Sequence, residues 1–239
     1  MSGHSKWATT KRAKAVVDAK RGGLFTKHAK NIAIAAKGGG DAELNSTLKS
    51  AIEKARTDNM PLANIERAIK KGTGELKDGE EIVEVMYEGY APEGIAVMVL
   101  CQTDNMKRTI QSIRHHFSKN GGNLGEKGCV SYMFKRKGVI TFENVTKKEE
   151  LEMAAINADC EDFEIEDNVV TVYTTPESLM DVKNSLEKDG FTANDFELTF
   201  VPGSYIKVEN EAKVASVLKF LEALDDDDDV YSVISNFDF

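Results

Sequence analysis

GVITFENVTKKEELEMAAINADCEDFEIEDNVVTVYTTPESLMDVKNSLEKDGFTANDFELTFV, residues 138–201, is the stretch that decides the fold. Val139 to Phe142 reads as a strand and Lys147 to Ala158 as a helix. Phe163 to Ile165 and Val169 to Thr174 read as two strands, Pro176 to Lys188 as a second helix and Phe196 to Val201 as a last strand. The apolar period switches between about 2 and 3.6 from one segment to the next, which is what separates strand from helix. The resulting order, β-α-β-β-α-β, is the ferredoxin-like arrangement.

The flanks follow from this centre. Downstream, Val214, Val217, Leu218 and Leu221 share one helical face, and Tyr231 to Ile234 reads as a strand. One helix and one strand cannot bury a core alone. Upstream, Val83, Val85 and Tyr87 alternate, Gly94 to Cys101 is a buried strand, and Cys129 to Phe134 reads as another. Between them, Met106 to Lys119 is a helix with Ile110, Ile113 and Phe117 inward. The trailing helix and strand complete this middle region, so the ferredoxin-like unit is expected as an insertion within it.

Further upstream the period is helical throughout. Phe25, Ala29, Ile32, Ala33 and Ala36 line one face of a first helix, which Gly38 to Gly40 stop. A second helix starts at about Leu44 with Leu48, Ile52 and Ala55 inward; Pro61 opens a third, with Leu62, Ile65 and Ile69 inward and Gly72 closing it. Gly22-Gly23 reads as a break between an N-terminal arm and the first packed helix, and Thr73 to Glu81 as a linker. The prediction is an α+β multidomain protein. It places a helical bundle at 1–77, an α/β domain at 78–136 plus 203–239, and an inserted ferredoxin-like α/β domain at 137–202.

Charge divides the chain in the same place. Through Lys77 there are 16 Lys and Arg against 7 Asp and Glu, a net +9, whereas the remainder carries 15 against 33, a net −18. An acidic body repels phosphate and confines any nucleic-acid contact to the basic end. Phosphate binding needs cations along a path, and stacking needs an aromatic ring beside them. His4, Lys6, Trp7, Lys11, Arg12, Lys14, Lys20, Arg21, Lys27 and Lys30 supply both. The plainer reading is a solvated basic face with Trp7, the single tryptophan, plugging the bundle. Arg108, His115 and Lys119 recur at i, i+7 and i+11 on a second helix, with Arg114 beside them, and either extend the footprint or form a solvated face.

Other chemistry finds little support. GGNLGEKG at 121–128 lacks the Ser or Thr of a P-loop after its Gly-Lys and follows a helix rather than a strand, so it reads as a helix stop and loop. There is no HExxH, no GxSxG and no paired His/Cys metal spacing. No enzyme activity, cofactor, metal or small-molecule substrate is expected. Cys101, Cys129 and Cys160 lie far apart with apolar neighbours and read as small buried strand residues. The acidic run Asp225 to Asp229 reads as a solvated loop. The longest apolar stretch falls far short of the roughly 20 residues a membrane span needs, and the basic N-terminus lacks an apolar core segment, so a cytoplasmic location is expected.

Longer motifs add a resemblance. GHSKWA, DAKRG, LFTK, GGGD, AIEKAR, NMP, NIERAIKKGTGE, YEGYAP, TDN, RT, FSKNGGNLG and MFKRKGVI follow one another between Met1 and Ile140. In that order they resemble the YebC/PmpR family, which includes the mitochondrial translational activators of cytochrome oxidase. The resemblance implies three domains, no catalysis, and DNA-binding transcriptional regulation, with other members resembling ribosome-associated translation factors that aid elongation through proline-rich stretches. The basic positions it matches are Lys6, Lys11, Lys14, Lys20, Arg21, Lys27, Arg56, Arg67, Lys70, Lys71, Arg108, Arg114 and Lys119. Two functions therefore stand open, a DNA-binding regulator and an RNA-binding translation factor whose target is rRNA or tRNA on the ribosome. A protein-interaction adaptor is the plainer third. No helix-turn-helix is legible that would read bases.

Overall fold

The structure, a computed structural model, describes residues 21–76 and 80–239. These fall into two compact units, one of residues 21–76, 80–129 and 210–233, the other of residues 130–209 and 234–239.

The first unit begins with three helices, α1 (Arg21–Ala36), α2 (Ser46–Thr57) and α3 (Leu62–Gly72). Asn45 caps α2 by accepting a hydrogen bond from the Leu48 N–H at 3.0 Å, which starts the helix two residues after Leu44. The three pack around Ile32, Ala36, Leu48, Ala55 and Ile65. At Gly72 a side chain would strike the Ala33 carbonyl and the Ala36 methyl, so glycine is what lets α3 approach α1. Gly22-Gly23 is not a break, because α1 runs through both residues. Two glycines cost a helix roughly 1 kcal/mol each, an amount the packing of Phe25, Ala29 and Ile32 offsets.

After the bundle come β1 (Val83–Tyr90), β2 (Ala96–Thr103), α4 (Met106–Lys119) and β3 (Asn123–Leu124). The chain returns to this unit with α7 (Glu211–Asp225) and the start of β9 (Val230–Ser235). The sheet order is β3-β1-β2-β9, with β1 and β2 antiparallel from Val83↔Thr103 to Tyr90↔Ala96. Central β2 is nearly all buried, as its unbroken apolar run requires. Helices α4 and α7 meet edge-to-face through Phe117 and Phe220, with ring centroids 5.0 Å apart.

The second unit holds β4 (Phe134–Phe142), α5 (Lys148–Asn157), β5 (Asp162–Glu166), β6 (Val169–Thr174), α6 (Leu179–Lys188) and β7 (Asp195–Pro202). Its sheet is antiparallel in the order β5-β6-β4-β7, which is the ferredoxin-like topology. Ile140, Leu151, Val172, Val182 and Leu186 form the core between sheet and helices. A short parallel pair, β8 (Ile206–Lys207) with β10 (Phe237–Asp238), closes this unit. The expected strand over Cys129 to Phe134 is a 3-10 turn at Ser131–Met133, and the strand starts at Phe134. The partner decides this, because β7 pairs with β4 along its whole length, from Phe134↔Pro202 to Thr141↔Asp195.

Candidate nucleic-acid interface

Helix α4 carries the second basic stripe. Asn105 caps it by accepting from the Arg108 N–H at 3.1 Å, and Thr109, Ile113 and Phe117 are its buried face. Arg108 opens towards the acidic run rather than towards solvent alone. Its Nη2 donates to Asp229 Oδ2 at 2.9 Å and Oδ1 at 3.0 Å, its Nε donates to Asp229 Oδ2 at 3.2 Å, and Nη2 also meets Asp104 at 3.0 Å. Asp229 is only 6% exposed.

The same acidic run holds the first helix. Lys30 Nζ donates to Asp229 Oδ1 at 2.7 Å and to the Asp228 carbonyl at 2.8 Å, and Lys27 Nζ donates to the Asp225 carbonyl at 2.6 Å. Thr109 Oγ1 adds a third partner to the Asp229 carboxylate at 2.9 Å. Asp227 accepts from the Ser112 hydroxyl, lies 3.2 Å from His116 Nε2, and accepts the Asp229 N–H at 2.9 Å. Burial alone would lift the Asp229 carboxyl, but hydrogen bonds from Lys30, Arg108 and Thr109 outweigh it and hold the group below the ordinary carboxylate value. The run is therefore not a solvated loop. It is an anion brace between α1 and α4, and its physical reason is that the buried Asp229 carboxylate needs paired cations, which Lys30 and the more exposed Arg108 supply.

This sorts the predicted residues. His4, Lys6, Trp7, Lys11, Arg12, Lys14 and Lys20 lie outside the described residues, and Arg21 is the first residue of α1. Lys27, Lys30 and Arg108 have their charge taken up by the brace. Arg114, His115 and Lys119 are exposed, and among the described residues none pairs with a carboxylate; His115 makes only an edge contact with the His116 ring, centroids 6.1 Å apart. Lys107 was missed by the sequence reading although it was legible, since it sits seven residues before Arg114 and so on the same exposed side. Lys70 and Lys71 occupy the last turn of α3, where cations also suit the helix dipole.

The thiols are likewise sorted. Cys101 is fully buried in β2, and burial, then Asp227 and Asp229, push it up to about 12. Cys129 and Cys160 are not buried strand residues; both are partly exposed in loops, Cys129 before the 3-10 turn and Cys160 after α5. Among the described residues no cluster of three or more His, Cys, Asp or Glu is placed to hold a metal, and no helix is long and apolar enough to cross a membrane.

Two family profiles match the chain. One, "TACO1/YebC protein N-terminal domain", covers residues 5–75, and the other, "TACO1/YebC second and third domain", covers residues 82–237. The chain belongs to the TACO1/YebC family. It is similar to a "Probable transcriptional regulatory protein" of Halothermothrix orenii, 48% identical over 242 residues, which cover 100% of this chain and 95% of the relative. A relative of the same name from Aquifex aeolicus is 49% identical over 240 residues, covering 100% of this chain and 96% of that one. The crystal structure of a conserved hypothetical protein from Aquifex aeolicus superposes with a TM-score of 0.86 at 49% identity, covering 94% of this chain and 93% of that one. The family resemblance and the α+β fold expected from the sequence both hold.

Proposed function

We propose that this TACO1/YebC-family protein is a non-enzymatic, DNA-binding regulator of transcription that works in the cytoplasm without a cofactor. The observation that carries this reading is the set of cations left over once the brace is satisfied. Arg114 and Lys119, with Lys107, stand exposed and unpaired by carboxylate among the described residues, with the exposed His115 ring beside them. They continue the +9 charge of the first 77 residues onto α4, while the rest of the chain is strongly acidic. Such segregation along the sequence supports phosphate contact by the basic segment. The name of the relatives, "Probable transcriptional regulatory protein", favours DNA as the polymer and a regulator as the role. The layout proposed for this work is a bundle over 1–77 for contact, and α/β domains over 78–136 plus 203–239 and over 137–202 for support and partners.

The test is retention of sheared genomic DNA and of total RNA on the immobilised full chain at near-physiological salt, followed by sequencing. Discrete DNA sites over scrambled competitor are expected. Equal retention of all duplex sequences would overturn specific regulation, and selective retention of rRNA or tRNA would move the protein to translation.

A further inference from the structure

We propose that the first unit contains a pocket for a single unstacked nucleotide, at the place where strand β3 ends; this rests on the nucleic-acid reading above and narrows it. A depression of about 440 Å³ lies there, within the range of small-ligand sites. Its apolar walls are Met86, Ile110 and Leu124, with the Tyr87 ring beside them, and Arg114 and Lys127 supply cations at its border.

The backbone makes this a polar edge as well. Strand β1 has eight residues, yet β3 pairs with only two of them, Gly89↔Leu124 and Tyr90↔Asn123. The Gly125 N–H extends the ladder by one bond, to the Glu88 carbonyl at 2.8 Å. Since backbone groups alternate along a strand, the N–H and C=O of Met86, two residues back, point to the same side as the Glu88 carbonyl. No described strand takes them, so a donor and an acceptor line the pocket. A base edge needs that pair, and a base face needs the apolar and aromatic wall.

The charges fit a nucleotide better than a peptide. Arg114 and Lys127 make no hydrogen bond or ion pair among the described residues, and Arg114 belongs to the exposed cations of α4, so a phosphate path leads from the helix into the pocket. The carboxylates are complementary to a base that carries an exocyclic amino group. Glu88 lines the pocket, is 3% exposed and is held by the Gly128 N–H at 2.9 Å, while Glu126 lies on the loop.

The experiment compares three labelled 20-bp duplexes with the full chain: fully paired, with one unpaired adenine, and with an abasic residue at that position. The adenine bulge is expected to bind about tenfold or more tighter than the other two, the size of one stacked base. With 2-aminopurine at the bulge, fluorescence is expected to fall on binding. Tyr87→Leu should remove the preference for the bulge, and Lys127→Gln should reduce it. Equal affinity for paired and bulged duplex, with unquenched fluorescence, would overturn the pocket while leaving DNA binding in place. An abasic bulge that binds as tightly as adenine would also overturn it, by assigning the gain to a flexible backbone. Competition by an acidic peptide but not by the bulged strand would make the pocket a peptide site, and no binding to any duplex would overturn the nucleic-acid reading itself.

Discussion

Asp229 is where one residue decides most. It sits 6% exposed among Lys30, Arg108 and Thr109, so removing its charge leaves cations without their anion. Asp229→Asn is expected to cost about 1–3 kcal/mol, read as a lower urea midpoint at unchanged m. The pH dependence has a definite sign. Because the folded group titrates below its ordinary value, its contribution is present above about pH 4 and is lost as acid titrates the folded carboxyl. The stability gap between the native chain and Asp229→Asn should therefore close on acidification; a gap that widened would contradict the assignment. Cys101 gives a second check. Buried and pushed up to about 12, it should resist a thiol reagent until the chain unfolds, while Cys129 and Cys160 react earlier. The burial of Cys101 in a strand was legible in the sequence, but the brace was not, because it joins Lys30 to a residue 199 positions away. A run of aspartates shows its charge but not its partners.

At the scale of elements, long periodic segments read well and contacts that override local preference did not. The β-α-β-β-α-β order of residues 138–201 was legible because each period change is marked by turn residues. The Gly22-Gly23 break was misread because helix propensity is weaker than the packing of α1 on α2 and α3. Residues 129–134 were misread because their apolar content suits a 3-10 turn as well as a strand, and only pairing with β7 decides where β4 starts. Gly72 tests the close approach of α1 and α3. Gly72→Ala places a methyl against the Ala33 carbonyl and Ala36, and should lower stability by about 1–3 kcal/mol despite its better helix propensity. A thermal midpoint equal to or above the native one would show that the helices can separate freely.

Over the whole molecule the central feature is how charge is spent. The net −9 hides a basic first third and an acidic remainder, and that division was plain from composition. Which cations are structural was not, since Arg108, Arg114 and Lys119 look alike on a helical projection. The structure commits Arg108 to Asp229 and leaves Arg114 and Lys119 exposed. The most direct test is the salt dependence of duplex DNA binding by the full chain and by Arg114→Gln/Lys119→Gln, measured by fluorescence anisotropy. Two lost phosphate contacts should flatten the slope of log K against log salt by about 1.8, at an unchanged unfolding midpoint. An unchanged slope would contradict the account, because the exposed face of α4 would then not meet phosphate.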